Sequence, residues 1–134
     1  MRKGLAQMRD RWLLATVGTV FFAAVYERFS HQVYSRAMLL AFLYPLLGGL
    51  LPAALLTPAK ERLLPGDWPR SLWAAGLISL TLGSLFRGVL EIYGTSSRLS
   101  AVYPLVGWPL LAIGAVSWAL ELLRRRREAA SCKR

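Results

Sequence analysis

Glu27, Arg87 and Glu91 are the side chains whose type and position could do chemistry. Glu27 follows the uncharged stretch 12–26, and Arg87 follows the uncharged stretch 71–86. Neighbouring carboxylates can shuttle a proton, and an acid beside a base can hold a polar ligand or lock two helices. Glu27, Glu91 and His31 could approach one another for acid–base work. No metal motif, nucleophile–base pair or glycine-rich phosphate loop accompanies them. One histidine, His31, and one cysteine, Cys132, supply neither a metal or haem ligand set nor a disulfide framework. The expectation is a protein with no cofactor, no metal and no catalysis of its own.

The elements that must position these residues follow from composition. The chain has 134 residues, 55% apolar, with mean hydropathy +0.41, yet 17 Lys/Arg stand against 7 Asp/Glu. Such grease and a net charge of +10 coexist only if they are segregated along the chain. Four stretches carry no charge: 12–26, 37–59, 71–86 and 99–120, of 15, 23, 16 and 22 residues. The basic residues flank these stretches instead of clustering on a soluble face, which argues against nucleic acid as a partner. The reading is an all-α polytopic membrane protein, a four-helix transmembrane bundle in one domain over 1–134. Its spans are expected near 12–31, 36–57, 71–93 and 99–122.

A bilayer core needs roughly 20 helical residues. Stretches 37–59 and 99–120 meet that alone. Stretches 12–26 and 71–86 do so only if their helices run on through Glu27–Arg28 and Arg87–Glu91. Trp12 to Glu27 and Leu72 to Arg87 are each 15 residues. At ~1.5 Å per residue both charges then lie about 22 Å above one membrane boundary. Ionisable groups at that depth need partners or water. Opposite signs at equal depth predict a Glu27–Arg87 pair between spans one and three, and Arg87 and Glu91 are also i,i+4 neighbours. Arg36 and Arg98 lie near the same level, with Tyr26, Tyr44 and Tyr103 around them. The group reads either as an outward-facing polar site or as an ion pair joining spans one and three.

Orientation follows from basic residues in short flanks. The N-terminal flank, the middle loop and the tail together hold 13 Lys/Arg, against 4 on the other side. Both termini are therefore expected in the cytoplasm, with the chain in the cell membrane. The first span also has the basic flank and short apolar run of a signal peptide. Tyr26 and Glu27 follow Ala23 and Ala24 without a small-x-small cleavage site, so it is expected to stay.

The two halves share a sequence order. Gly18-Thr19-Val20-Phe21, Glu27, Ser35-Arg36 and Tyr44-Pro45-Leu46-Leu47-Gly48 parallel Gly83-Ser84-Leu85-Phe86, Glu91, Ser97-Arg98 and Tyr103-Pro104-Leu105-Val106-Gly107. Two parallel helical-hairpin repeats would give that order. Pro45, Pro104 and Pro109 are expected to kink their helices. Ala15, Thr19 and Ala23 on span one, and Ser84 and Gly88 on span three, have the small-xxx-small spacing that lets backbones approach.

The phrases Tyr26-Glu27-Arg28-Phe29-Ser30-His31 and Leu90-Glu91-Ile92-Tyr93-Gly94-Thr95-Ser96-Ser97-Arg98 resemble those of small uncharacterised bacterial four-span integral membrane proteins. The resemblance covers most of the chain and implies no activity. Small multidrug exporters carry a glutamate in the middle of their first span, whereas Glu27 sits near its outer end. Fluoride channels carry asparagine-containing pore motifs, and this chain has no asparagine. The partners expected are the lipid bilayer and another membrane protein or further copies of the chain. The function expected is that of an accessory or assembly subunit of a larger membrane complex. The alternative is an oligomeric small transporter or channel built around the outward-facing polar site.

Overall fold

The computed structural model describes residues 2–29, 35–56 and 64–131, with side chains from Ala6 onward in the first segment. His31 and Cys132 lie outside the described residues. Every regular element described is helical: α1 (Arg2–Phe29), α2 (Arg36–Leu39), a π-helix (Tyr44–Leu50), α3 (Leu51–Leu56), α4 (Asp67–Ile92), a 3-10 turn (Arg98–Ala101) and α5 (Val102–Ser131). Together they contain four helices long and apolar enough to cross a membrane: Ala6–Phe29, Arg36–Leu56, Asp67–Ile92 and Arg98–Ser131.

The first and third helices continue past their charged residues, as their short apolar runs require. α1 carries Glu27 and Arg28 within its last turn, and α4 carries Arg87 and Glu91. α4 stops where Gly94 takes φ 67, a left-handed conformation that glycine adopts without a Cβ penalty. The Gly94 and Thr95 amides donate back to the carbonyls of Glu91 (3.2 Å) and Leu90 (3.0 Å), closing a Schellman-type cap. The outer helices are longer than the apolar runs alone suggest. α1 begins at Arg2 and α5 ends at Ser131, because Arg, Glu and Ala propagate helix well outside any apolar stretch.

Span two is broken where Pro45 enters it. Before the proline the backbone is overwound, with Leu43 donating to Leu40 (3.0 Å) and Tyr44 to Ala41 (3.4 Å). After it the backbone is underwound into the π-helix, and the Leu51 amide reaches back to the Leu46 carbonyl. Proline has no amide hydrogen, and its ring crowds the carbonyl four residues earlier. Tight and wide turns on either side absorb that conflict. Pro104 behaves differently from the expected kink. It sits in the first turn of α5, where a missing amide hydrogen costs no helical bond. Pro109 is the proline inside α5, and it leaves the Leu105 carbonyl without its helical donor.

Helices pack in chain order: α1 on span two, span two on α4, and α4 on α5. The α4–α5 seam is the closest. A Cβ on Gly76 would lie 2.9 Å from the Gly107 carbonyl oxygen, and one on Gly107 would lie 2.7 Å from Leu80 Cγ. Gly76 and Gly83 on α4, and Gly107 and Gly114 on α5, each stand two turns apart on one face. Leu77, Leu80 and Leu111 form the small buried core, flanked by Trp12, Tyr44 and Trp73. Gly48 and Gly49 let two neighbours reach the π-helix from opposite sides, Leu77 of α4 against one and Trp12 of α1 against the other. Ser84 and Gly88 provide a close approach as their spacing predicts, and their neighbour is α2. Ser84 Oγ donates to the Ala37 carbonyl (2.6 Å), and Met38 lies over Gly88. On α1 the buried stripe is Thr16, Thr19 and Ala23, so Ala15 falls outside the expected face.

Candidate functional site

Arg87 makes its ion pair on its own helix. Its Nε lies 3.0 Å from Glu91 Oε1, and its side chain is 69% exposed. The pair expected between Glu27 and Arg87 does not form. The i,i+4 register supplies a partner one helical turn away, and α1 and α4 share no extended contact. Glu27 lies half-buried in the last turn of α1.

The second carboxylate oxygen of Glu91 carries the contact that joins the two halves of the chain. Ser35 Oγ donates to Glu91 Oε2 at 2.6 Å. Ser35 is 2% exposed and is also the N-cap of α2, where its Oγ accepts the Met38 amide at 3.3 Å. One hydroxyl thus caps a helix and bridges to a span that is 56 residues away in sequence. The signal was present in the Ser-Arg pairs at the start of each even span. Ser97 caps the 3-10 turn in the same manner, accepting the Leu99 amide at 3.2 Å.

Beneath this bridge, span two, α4 and α5 enclose a cleft of about 1170 Å³. Arg36, Arg87, Glu91 and Tyr44 line it, with Trp108 and Pro104 from α5. Four of the expected site residues therefore share one cavity wall. The others stand elsewhere. Tyr26 stacks on Phe22 of its own helix, ring centres 5.1 Å apart. Tyr103 packs against Gly83 and Phe86 in the α4–α5 seam, and Arg98 begins the 3-10 turn as an exposed side chain.

A second cleft, of about 810 Å³, opens at the opposite end of the helices between α1, α3 and the start of α4. Gly48 and Trp73 border both clefts. Trp73 Nε1 donates to the Gly48 carbonyl at 2.8 Å, so this indole hydrogen bond to the π-helix joins two residues that border both cavities. π-Helical turns often mark functional positions.

Sequence reasoning missed a clamp at the same end. Glu121 of α5 accepts the Gly66 amide at 3.0 Å, where Gly66 is the N-cap of α4, and Arg125 donates to the Leu64 carbonyl at 3.0 Å. A carboxylate beside a helix N-terminus meets orphan amides and a favourable dipole. Glu121 sits in a basic, charged tail sequence, and nothing in its spacing marks Gly66 as its partner.

Among the described residues no group of three His, Cys, Asp or Glu side chains could hold a metal ion. The arrangement can bind and orient polar or amphiphilic groups in two clefts. What fold and clefts define is an all-helical protein with four helices fit by length and composition to cross a membrane. Among family models, curated proteins and solved structures, none matches the chain.

Proposed function

We propose that this chain is a multi-pass protein of the cell membrane, both termini cytoplasmic, serving as a non-catalytic accessory or assembly subunit of a larger membrane complex. One observation carries the reading: the helices pack in chain order and leave α1 and α5 with uncovered outer faces. On α1, Leu14 (73% exposed), Phe21 (70%) and Val25 (40%) form a stripe opposite the buried one, with Gly18 in its middle and nothing within 4 Å of where its Cβ would be. Without a hydrophobic drive between helices in lipid, such a notch favours close van der Waals packing of a further helix. The test is a Gly18→Cys, Cys132→Ser variant cross-linked in native membranes. The reading expects one discrete heteromeric adduct. A chain that stays monomeric at every cross-linker length overturns it.

Orientation rests on the 13-to-4 distribution of basic residues. Reporter fusions at each terminus and in the middle loop test it. We also hold to a duplicated helical hairpin, supported by Ser35 and Ser97 capping the start of each even span.

A second reading, an oligomeric small transporter or channel, is favoured by the two clefts that meet at the Trp73–Gly48 hydrogen bond. Flux of small ions from liposomes distinguishes it, with Trp73→Ala expected to raise the flux.

A further inference from the structure

We propose that the cleft between α1 and the start of α4 binds an anionic phospholipid, its phosphate between Arg11 and Arg70 and one acyl chain lying against the cleft wall. The proposal rests on the membrane placement given above and adds a ligand site to it.

The first argument is shape. The wall is mostly apolar, with the small residues Ala15 on α1, Ala53 on span two and Ala74 on α4 set among Met8, Leu56 and Ile78. α1 packs mainly on span two and has no extended contact with α4, and the cleft lies between the two. An apolar groove at membrane depth is filled by whatever apolar chain surrounds it, and in a bilayer that is an acyl chain.

The second argument is height. Arg11 is the last charge before the uncharged stretch 12–26, and Arg70 the last before 71–86. α1 and α4 run in the same direction, because span two is antiparallel to both: Trp12 meets Gly49, and Met38 meets Gly88. Arg11 and Arg70 therefore both stand at the edge of the apolar region and line the same cleft, where a phosphate would sit. Trp12, Trp73 and Trp118 line the same cleft, and tryptophan is enriched at that level.

The third argument is charge. Among the described residues, the ionisable side chains lining the cleft are Arg11 and Arg70, with Gln7 and Ser71 beside them and no carboxylate. Arg70 pairs with Asp67, whereas Arg11 has no carboxylate within ion-pair distance among the described residues. The cleft at the other end has Glu91 in its wall beside Arg36 and Arg87, whereas Asp67, the partner of Arg70, is not among the described residues that line this one. Arginine forks suit phosphate oxygens.

Native mass spectrometry of the detergent-purified full chain, titrated with phosphatidylglycerol or phosphatidylcholine, tests the site. The proposal expects about tenfold tighter retention of phosphatidylglycerol, equivalent to one decade in dissociation constant. Arg11→Gln with Arg70→Gln should bring the two lipids level. Ala74→Trp, which leaves both charges and fills the cleft, should lose the tight phosphatidylglycerol adduct. Equal retention of both lipids by the unaltered chain overturns the proposal, as does a preference unchanged in both variants. Competition by glycerol phosphate as strong as by the whole lipid also overturns it, since the acyl chain would then add nothing. Alkaline extraction of the same membranes separates the two readings: a chain released without detergent refutes the membrane placement, whereas a retained chain without lipid preference refutes only the lipid site.

Discussion

Ser35 Oγ donates to Glu91 Oε2 at 2.6 Å, while the other oxygen of that carboxylate holds Arg87 at 3.0 Å. Glu91 is therefore the joint between the start of span two and the end of α4. Hydrogen bonds to charged groups contribute about 1.5–3 kcal/mol, whereas an exposed i,i+4 ion pair contributes about 0.3–0.5 kcal/mol. Ser35→Ala should lower the unfolding midpoint in detergent clearly more than Arg87→Ala. Ser35→Ala and Glu91→Ala should be strongly non-additive. Glu27→Ala and Arg87→Ala should add within about 0.5 kcal/mol, as independent sites do. Thermal or denaturant unfolding of the four single and two double variants checks all three statements.

Glycines on the two sides of α1 and α4 should respond in opposite directions. A Cβ on Gly76 meets Leu111 Cγ at 2.8 Å and the Gly107 carbonyl at 2.9 Å, so Gly76→Ala must push α4 and α5 apart. Overpacking of this kind costs about 1–3 kcal/mol. Gly18→Ala meets nothing within 4 Å and lies mid-helix, where alanine is favoured by about 0.5–1 kcal/mol. The expected result is a lower midpoint for Gly76→Ala and an unchanged or higher one for Gly18→Ala in the isolated chain.

Trp73 should report on the π-helix. Trp73→Phe keeps the aromatic bulk and removes the hydrogen bond to the Gly48 carbonyl, a loss of about 1 kcal/mol. Amide exchange over Tyr44–Leu50 should quicken in this variant. Exchange across α5 should stay as it was, since the bond touches only span two and α4.

Glu121→Ala should loosen the start of α4. It releases the Gly66 amide and removes a carboxylate from a helix N-terminus, together about 1–2 kcal/mol. Faster exchange of the first α4 turn, with little change at Tyr93–Thr95, is the expected pattern. Uniform destabilisation of the whole helix would show that the clamp acts elsewhere.

The sequence by itself determined that there would be four long apolar helices, and that the first and third would run past their charges. Uncharged runs of 15 and 16 residues are too short to end a span, and helix propagation is a local matter. It also marked Pro45 as a break, since a proline's missing amide acts within one turn. Pro104 misled because the effect of a proline depends on its position in the helix, and the helix start was set by the Ser97 cap and the 3-10 turn before it. Only the tertiary structure decided which charges and polar groups meet. Equal depth placed Glu27 and Arg87 at the same height but said nothing of the angle between their helices. Packing in chain order put span two against α4 and held α1 away from it, so Glu91 received Ser35, and Arg87 kept the partner its own helix offered. The clefts and the Glu121 clamp have the same origin: they depend on which faces cross, and residues dozens of positions apart have no local pattern that records it.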